Sequence, residues 1–178
     1  MPINWKLNTS NKGKFEEFQI LFNKHGINLN YSHTDLKEID ADPITVIAHK
    51  ASQVEPFTLV DDTSLDITGE KVGIHVRWLL EHLKDCLNRE AVWTVLLAYR
   101  EDKNIFIYKG AVFGKIVPKS GDRGFGFDPF FMPKGSLKTL AEFKPDKFNA
   151  RAQAVNAFIR NKIYKVVPEI NNWEGPWQ

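Results

Sequence analysis

Residues 56–62, Pro-Phe-Thr-Leu-Val-Asp-Asp, place two carboxylates directly after a short apolar run. The run at 57–60 predicts a buried strand that stops at Asp61 and Asp62. In open α/β sheets, ligands bind beyond the carboxyl ends of the strands. Two acids at such an edge are able to hold a divalent cation through oxygen ligands or to activate a water molecule. The alternative is that they cap a turn or pair with lysines, but the apolar strand favours the functional interpretation.

Helices and strands are predicted to alternate on both sides of this strand. Before it, Asn11 is the expected N-cap of a first helix that Gly26 ends, and Asp42-Pro43 starts a second helix. After it, residues 91–99 and 105–117 predict a long β-hairpin. The other predicted elements are strands at 3–8 and 27–31, helices at 74–84 and 147–164, and a Gly/Pro loop at 118–136. This order predicts the α/β class, with a mixed sheet and flanking helices.

The composition is that of one soluble globular domain over residues 1–178. Of the 178 residues, 43% are hydrophobic and 26% are charged, and the formal net charge is +2. This near balance argues against a wide surface for nucleic acid polymers but allows a local basic pocket. The single cysteine, Cys86, forms no internal disulfide, and no segment resembles a signal peptide or a membrane span. We therefore expect a cytoplasmic protein without a membrane partner.

A polar turn at residues 9–14, Thr-Ser-Asn-Lys-Gly-Lys, opens the first predicted helix. A helix N-terminus presents free backbone N–H groups and a partial positive charge, which suit a phosphate. Lys12 and Lys14 add positive charge, and Gly13 lets a ligand approach the backbone. The spacing is not that of a P-loop. The alternative is a capped helix with solvated lysines, and this motif alone does not decide between the two.

Glycines and aromatic residues alternate at residues 121–131, Gly-Asp-Arg-Gly-Phe-Gly-Phe-Asp-Pro-Phe-Phe. Aromatic rings on a tightly turning backbone are able to sandwich a nucleobase, and Asp128 is able to hydrogen-bond the base edge. A packed loop is the alternative, because the chain holds 13 phenylalanines. At the head of the last predicted helix, Lys147 and Arg151 stand four residues apart. They form either an anion clamp or a solvated face.

Taken in order, these segments resemble the inosine triphosphate pyrophosphatase family. Residues 9–17 resemble the family's Thr-Gly-Asn-x-x-Lys-x-x-Glu start, and residues 59–65 resemble its acidic strand end. Residues 124–131 match its nucleobase loop closely, as do the positions that follow: Pro133, Gly135, Thr139, Ala141 and Glu142. The resemblance spans about residues 5–160. It implies a Mg²⁺-dependent enzyme, usually a homodimer, with an elongated mixed sheet and a central nucleotide cleft.

The activity that the resemblance implies is hydrolysis of ITP, dITP and XTP to the monophosphate and pyrophosphate, which clears deaminated purines from the nucleotide pool. Asp62 and Lys14 would be catalytic, with Asp62 orienting or deprotonating the attacking water. Glu38 and Asp62 would hold Mg²⁺. The implied contacts to the purine nucleoside triphosphate come from Thr9, Ser10, Asn11, Lys12, Lys50, Thr63, Phe125, Gly126, Phe127, Asp128, Lys147 and Arg151.

The chain departs from the family pattern in two places. Where the family has Ser-His-Arg at the head of the last helix, this chain has Asn149-Ala150-Arg151, and either Lys144 or Lys147 matches the family lysine. The segment between Gly69 and Glu90 departs as well. Because Ala150 replaces the histidine, two alternatives remain: a nucleotide-binding or regulatory protein with weakened catalysis, or a pyrophosphatase for another modified nucleotide.

Two tryptophans stand close to the last residue of the sequence, at positions 173 and 177. Large aromatic side chains in a short polar segment favour burial against the rest of the domain. We therefore expect residues 173–178 to pack back on the domain.

Overall fold

A computed structural model describes residues 2–70 and 82–178 of the chain. Over these residues it contains a seven-stranded mixed sheet and three α-helices, which confirms the α/β class. The strands are β1 Lys6–Asn8, β2 Asn30–Ser32, β3 Thr58–Ile67, β4 Glu90–Glu101, β5 Asn104–Ile116, β6 Phe131–Pro133 and β7 Lys165–Pro168. The helices are α1 Lys12–Asn23, α2 Pro43–Ser52 and α3 Ala150–Ile159. The strand order is β2-β1-β3-β4-β5-β6, and β7 also pairs with β5.

The chain divides into two compact units. Unit 1 comprises Met1–Asp62, Leu96–Lys109 and Ala154–Gln178, and unit 2 comprises Thr63–Val95 and Gly110–Gln153. In neither unit does the described part of the chain include a helix that is long and apolar enough to cross a membrane.

Unit 1 is built on parallel strand pairs. Strand β1 pairs with β2 and with β3, so that Asn8 lies opposite Val60. Parallel strands need crossover connections, and α1 and α2 provide them. The buried face of α2, including Ile47 and Ala51, packs in an apolar cluster with Val60 of β3. This pairing brings the residues that follow β1 and the acidic part of β3 to the same edge of the sheet.

Unit 2 holds the open end of the β4–β5 hairpin, which is the start of β4 and the end of β5, and the loop beyond it. Strand β6 pairs antiparallel with β5, with Gly114 opposite Pro133. Trp93 and Phe131 are fully buried, and Phe127 packs edge-on against both rings. These aromatic contacts fix the Gly/Phe-rich loop, residues 121–131, because Phe127 and Phe131 belong to the core.

Several element boundaries differ from the sequence expectation. Strand β3 does not stop at Asp61 and Asp62 but continues through them to Ile67, because Ser64, Leu65 and Ile67 are buried in the sheet. The prediction of a strand ending in two carboxylates was therefore wrong. The carboxylates stand inside the strand, at the point where β1, the shorter partner, has already ended.

The first two strands are also shorter or displaced, since β1 begins at Lys6 and β2 at Asn30. The expected loop at 118–136 contains β6 and a 3₁₀ turn at Asp128–Phe130. The last helix begins at Ala150 rather than 147 and ends at Ile159. Most of the helix predicted at 74–84 lies outside the described residues, and its end belongs to a 3₁₀ turn at Leu83–Cys86.

Other expectations are confirmed. Asn11 caps α1 through its side chain, Asp42 caps α2, and the long hairpin turns at Asp102. Residues 173–178 pack back on unit 1, as their tryptophans predicted, and Trp177 forms an isolated β-bridge with Ile39.

Candidate functional site

Five charged side chains meet in unit 1, and we refer to them as the charged cluster. They are Lys14 of α1, Glu38 of the segment before α2, Lys50 of α2, and Asp61 and Asp62 of β3. The two crossover helices and strand β3 supply all of these residues except Glu38. The parallel β1–β3 pair therefore positions the cluster.

Lys50 lies at the centre of the cluster. Its Nζ atom donates to the Asp61 carbonyl oxygen at 2.8 Å and to Glu38 Oε1 at 3.1 Å, and it lies 3.7 Å from Asp62 Oδ1. Lys14 forms a second ion pair, with Nζ 3.0 Å from Asp61 Oδ2. Each lysine thus has its own aspartate, and Lys50 additionally joins Glu38 to β3.

Burial changes the proton affinities within the cluster. Desolvation raises the pKa of Asp62 to about 6, although Lys50 and Lys14 oppose the shift. For Lys50, burial disfavours the ammonium form, but the carboxylates of Asp62, Asp61 and Glu38 outweigh that effect and raise its pKa. The lysine therefore stays charged, while Asp62 is a carboxylate that takes up a proton close to neutral pH.

The turn that opens α1 uses its polar side chains on its own backbone. Thr9 Oγ1 accepts from the Asn11 amide at 3.1 Å, and Asn11 Oδ1 accepts from the Lys14 amide at 3.0 Å. Ser10 is exposed, and Lys12 extends toward Glu16, 3.8 Å away. The side chains of Thr9 and Asn11 thus have the capping role. They fix the start of the helix that carries Lys14.

A buried asparagine orders the segment that leads to Glu38. Asn8 Oδ1 accepts from the Thr34 amide and from the Ser32 hydroxyl, and its Nδ2 donates to the Thr34 carbonyl at 3.0 Å. The side chain of Asn8 therefore replaces a strand partner beyond the end of β2. Asn8 was not predicted as a site residue, because a lone asparagine at a strand end carries no distinctive signal in the sequence.

Two carboxylates of the cluster are suited to a hard divalent cation. Glu38 and Asp62 each place an oxygen within 4.0 Å of the same Lys50 nitrogen. Among the residues that the structure describes, no group of three or more acidic, histidine or cysteine side chains is arranged to hold a metal. Mg²⁺ is commonly held by only one or two carboxylates together with substrate phosphates and water. The donor set therefore fits Mg²⁺ bound with a phosphorylated ligand.

Unit 2 contains a second constellation, which we refer to as the aromatic cage. The Arg151 guanidinium carbon lies 5.2 Å from the Trp93 ring centre and 4.8 Å from that of Phe125. Lys144 Nζ lies 5.2 and 5.3 Å from the same two rings. Both distances are in the range of cation–π contacts. Two cations therefore share two aromatic faces, and Arg151 is almost fully buried among them.

Asp128 holds the cage together. Its Oδ2 atom accepts from the Phe125 amide at 3.1 Å and from Lys144 Nζ at 3.1 Å, and its side chain is buried. Gly124 has a positive φ of +74°, and a Cβ there would collide with the Asp128 carboxylate. Gly126 also has a positive φ, of +62°, but open space around it. Both glycines are therefore required by the left-handed backbone of the loop, and Gly124 is also required to leave space for the Asp128 carboxylate.

The structure distinguishes residues that the sequence grouped together. Phe127 is buried against Trp93 and Phe131, whereas Phe125 is partly exposed. Lys147 is exposed and lies over the Phe148 ring, so that Lys144 is the lysine at the cage. Trp93 was missed, since a buried strand tryptophan has the ordinary pattern of a core residue.

The head of α3 and the end of the acidic motif complete the predicted positions. Asn149 Oδ1 accepts from the Arg151 and Ala152 amides at 2.9 and 3.2 Å and so caps α3, while Ala150 is fully buried. Thr63 follows Asp62 on β3, and its hydroxyl oxygen is buried without a hydrogen-bond partner among the described residues.

Comparisons with known proteins agree on one family. The model of the Ham1 family matches residues 5–161. A dITP/XTP pyrophosphatase from Hyperthermus butylicus is 30% identical, over 85% of this chain and 90% of that protein. An inosine triphosphate pyrophosphatase from Yarrowia lipolytica is 26% identical, over 88% of this chain and 92% of that protein.

The fold agrees with a solved structure as well. The crystal structure of a nucleoside-triphosphatase / dITP/XTP pyrophosphatase from Mycobacterium abscessus is similar, with a TM-score of 0.56 and 21% sequence identity. The similarity covers 90% of this chain and 96% of that one.

Proposed function

The chain belongs to the Ham1 family, whose model spans residues 5–161, and on that premise we propose that it hydrolyses deaminated purine nucleoside triphosphates. The substrates are ITP, dITP and XTP, and the products are the monophosphate and pyrophosphate. The charged cluster carries the proposal, because it combines two lysines for phosphate oxygens with carboxylates for a metal and a water molecule. The substrate class follows from the names of the two similar pyrophosphatases from Hyperthermus butylicus and Yarrowia lipolytica.

In this proposal Lys14 and Lys50 bind the triphosphate. Both ammonium groups are already held in place, Lys14 by Asp61 and Lys50 by Glu38 and the Asp61 carbonyl. Fixed cations stabilise the charge that builds up on a departing pyrophosphate without the cost of reorienting solvent. Thr9, Ser10, Asn11 and Lys12 complete the phosphate end through the start of α1, where backbone N–H groups favour anions.

Asp62 orients the attacking water and accepts its proton. Its raised pKa, about 6, is close to the pH at which a general base is most effective. Glu38 and Asp62 would also hold Mg²⁺, which when bound neutralises phosphate charge and polarises the phosphoryl group. We assign Thr63, which follows Asp62 on β3, to a contact with the ribose or a phosphate.

The residues of the aromatic cage bind the base. Phe125, Gly126, Phe127 and Asp128 form the loop, and Arg151 with Lys144 supplies hydrogen-bond donors. A 6-oxopurine offers an acceptor at C6, whereas adenine offers an amino donor there. Cationic donors therefore favour hypoxanthine and xanthine over adenine. On the family resemblance, we also propose that the enzyme is a cytoplasmic homodimer.

A product assay with one variant and one matched control tests the proposal. ITP, dITP, XTP, GTP and ATP are incubated separately with the protein and Mg²⁺, and chromatography separates monophosphate from diphosphate. We expect monophosphate from ITP and XTP, with ATP spared. Asp62→Asn should lower pyrophosphate release from ITP by about 10²-fold or more. Asp66→Asn, an exposed acid on the same strand, should not. Near-normal turnover by Asp62→Asn would remove Asp62 from the mechanism.

A second candidate follows from Ala150. This position has no imidazole and is fully buried, so the chain lacks one group that the family pattern places at the head of the last helix. A protein that binds nucleotides without turning them over is therefore the alternative. Calorimetry with the same nucleotides distinguishes the two, because tight binding of ITP without any product would favour the binding protein.

A further inference from the structure

We propose that residues 173–178 form a clamp that positions Glu38 in the charged cluster, with Trp177 and Gln178 as positioning residues. The inference rests on the proposed function, because it assigns to this segment a part in holding the metal-binding carboxylate. Glu38 is the member of the cluster that stands on neither a helix nor a strand. Its carboxylate nevertheless lies 3.1 Å from Lys50 Nζ. Something other than regular secondary structure must hold it there.

The clamp hydrogen-bonds to the backbone around Glu38. The Gln178 amide donates to the Glu38 carbonyl at 3.0 Å, and Gln178 Nε2 donates to the Ile39 carbonyl at 2.9 Å. The Asp40 amide donates to the Pro176 carbonyl at 2.9 Å. Together with the Ile39–Trp177 bridge, these bonds fix three consecutive residues of the segment. The polar backbone of 38–40 thus finds in the clamp the partners that a neighbouring strand normally provides.

The same clamp rests on the helix that carries Lys50. His49 lies one residue before Lys50 on α2, and its ring centre is 5.5 Å from that of Trp177 and 6.4 Å from that of Trp173. The Trp173 indole nitrogen donates to the Pro176 carbonyl at 2.9 Å and closes the turn of the clamp. One short segment therefore contacts both the helix that carries Lys50 and the backbone that carries Glu38. This shared contact sets the separation of the two side chains.

Partial exposure makes Glu38 dependent on this support. Its side chain is 43% exposed, in contrast to 13% for Asp62 and 3% for Asp61. A half-exposed carboxylate on an irregular segment gains little from a lysine contact alone, because water competes for both groups. Groups that orient a metal ligand from behind commonly change metal affinity when they are removed. The clamp is in that position relative to Glu38.

Three single variants test the clamp. Trp177→Ala removes the ring that packs on His49, and Trp177→Phe retains an aromatic ring. Gln178→Ala removes one hydrogen bond from an exposed residue and leaves the apolar contacts intact. The matched control is Tyr164→Ala, because Tyr164 is 45% exposed and Trp177 is 49% exposed. Tyr164 lies under Lys109, and its backbone amide donates to the Ile107 carbonyl of β5.

The primary measurement requires no turnover. Mg²⁺ is titrated into the protein saturated with the α,β-imido analogue of ITP, which is not cleaved between the α- and β-phosphates, and the amide resonances of Glu38 and Asp62 report the apparent affinity. We expect Trp177→Ala to weaken Mg²⁺ binding by about tenfold, Gln178→Ala to weaken it less, and Trp177→Phe to restore it in part. The Asp40 amide should exchange faster with solvent in Trp177→Ala. Tyr164→Ala should match the parent in both measurements.

A double variant separates positioning from a general loss of stability. If the clamp acts through Glu38, Trp177→Ala should have no further effect on Mg²⁺ affinity in a Glu38→Gln background. Additive effects, or an unchanged Asp40 exchange rate in Trp177→Ala, would overturn the proposal. In the ITP assay, Trp177→Ala alone should need a higher Mg²⁺ concentration for half-maximal rate, while its kcat at saturating Mg²⁺ equals that of the parent. Absence of ITP turnover in the parent would reject the proposed function alone, because the exchange rate of the Asp40 amide in Trp177→Ala, measured without nucleotide, still decides the clamp.

Discussion

Lys50 controls the charge balance of the cluster. Its side chain is 12% exposed and contacts the carboxylates of Glu38 and Asp62. Removing the ammonium would leave these carboxylates partly desolvated and close to Asp61. Loss of one partner of a buried pair is strongly destabilising, although the exposure of Glu38 reduces the cost here. We expect Lys50→Met to lower the free energy of unfolding by about 2–3 kcal/mol, measured by urea denaturation without Mg²⁺.

The control for this prediction is Lys6→Met. Lys6 lies 3.5 Å from Glu55, but the two side chains are 41% and 81% exposed. An exposed pair of this kind contributes little, so the free energy of unfolding should change by less than about 0.5 kcal/mol. Equal losses in the two variants would show that burial within the cluster is not what makes Lys50 important.

The sequence indicated much of the cluster but not how its members pair. Lys14, Glu38, Lys50 and Asp62 followed from the family resemblance, and the structure brings all four together. That Lys14 pairs with Asp61 rather than with Asp62 was not predictable. Adjacent residues on a strand point to opposite faces, and the sequence does not say which face α1 covers.

At the scale of elements, the Gly/Phe-rich loop makes a matched comparison possible. Gly124 and Gly126 both have positive φ, but only Gly124 faces a neighbour, the Asp128 carboxylate. An alanine at either position pays for the left-handed backbone, which costs about 1–2 kcal/mol. At position 124 the new methyl group also displaces Asp128 from Lys144. We expect Gly124→Ala to be more destabilising than Gly126→Ala in urea denaturation.

Activity should separate the same two variants. Gly124→Ala disturbs the carboxylate that holds Lys144 at the aromatic cage, so on the proposed function its KM for ITP should rise more than that of Gly126→Ala. Indistinguishable stability and KM in the two variants would mean that the loop moves to accept the methyl group. Asp128 would then not be held as tightly as its hydrogen bonds indicate.

Elements with local signals were predictable, and those defined by distant partners were not. Caps at Asn11 and Asp42 marked the starts of α1 and α2, because a cap is a bond between near neighbours in sequence. Strand β7 was missed, since Lys165–Pro168 is mostly exposed and exists through its pairing with β5. Strand β3 was predicted too short for the opposite reason. Two adjacent acids are a strong local signal for a strand end, but pairing within the sheet extends the strand to Ile67.

At the scale of the whole molecule, contacts between segments far apart in sequence determine positions that local sequence patterns do not predict. The tryptophans at 173 and 177 predicted that the last segment packs back, but not where. The structure places it on residues 38–40, more than 130 positions earlier in the chain. Such a pairing leaves no periodicity in the sequence, because each side of it is a short irregular segment.

The contact between this segment and α2 also gives the stability of the molecule a pH dependence. Burial lowers the pKa of His49, whose ring lies against Trp173 and Trp177 while Nδ1 is 2.9 Å from Gln53 Nε2. The unfolded chain therefore binds a proton at this residue more readily than the folded chain does. The contribution of neutral His49 to the free energy of unfolding is fully present above pH ~6.5 and is lost as the pH falls below that value.

Asp62 changes the free energy of unfolding in the opposite direction. Its pKa is raised, so the folded chain takes up a proton there more readily and gains stability as the pH falls. The informative quantity is therefore the difference between the parent and His49→Gln, in which the Asp62 effect is common to both. As the pH is lowered from about 7.5 to about 5.5, we expect the free energy of unfolding of His49→Gln to rise relative to that of the parent, measured by urea denaturation. A constant difference across this range would mean that His49 is as easily protonated in the folded chain as in the unfolded one. The packing of Trp173 and Trp177 would then not exclude water from α2.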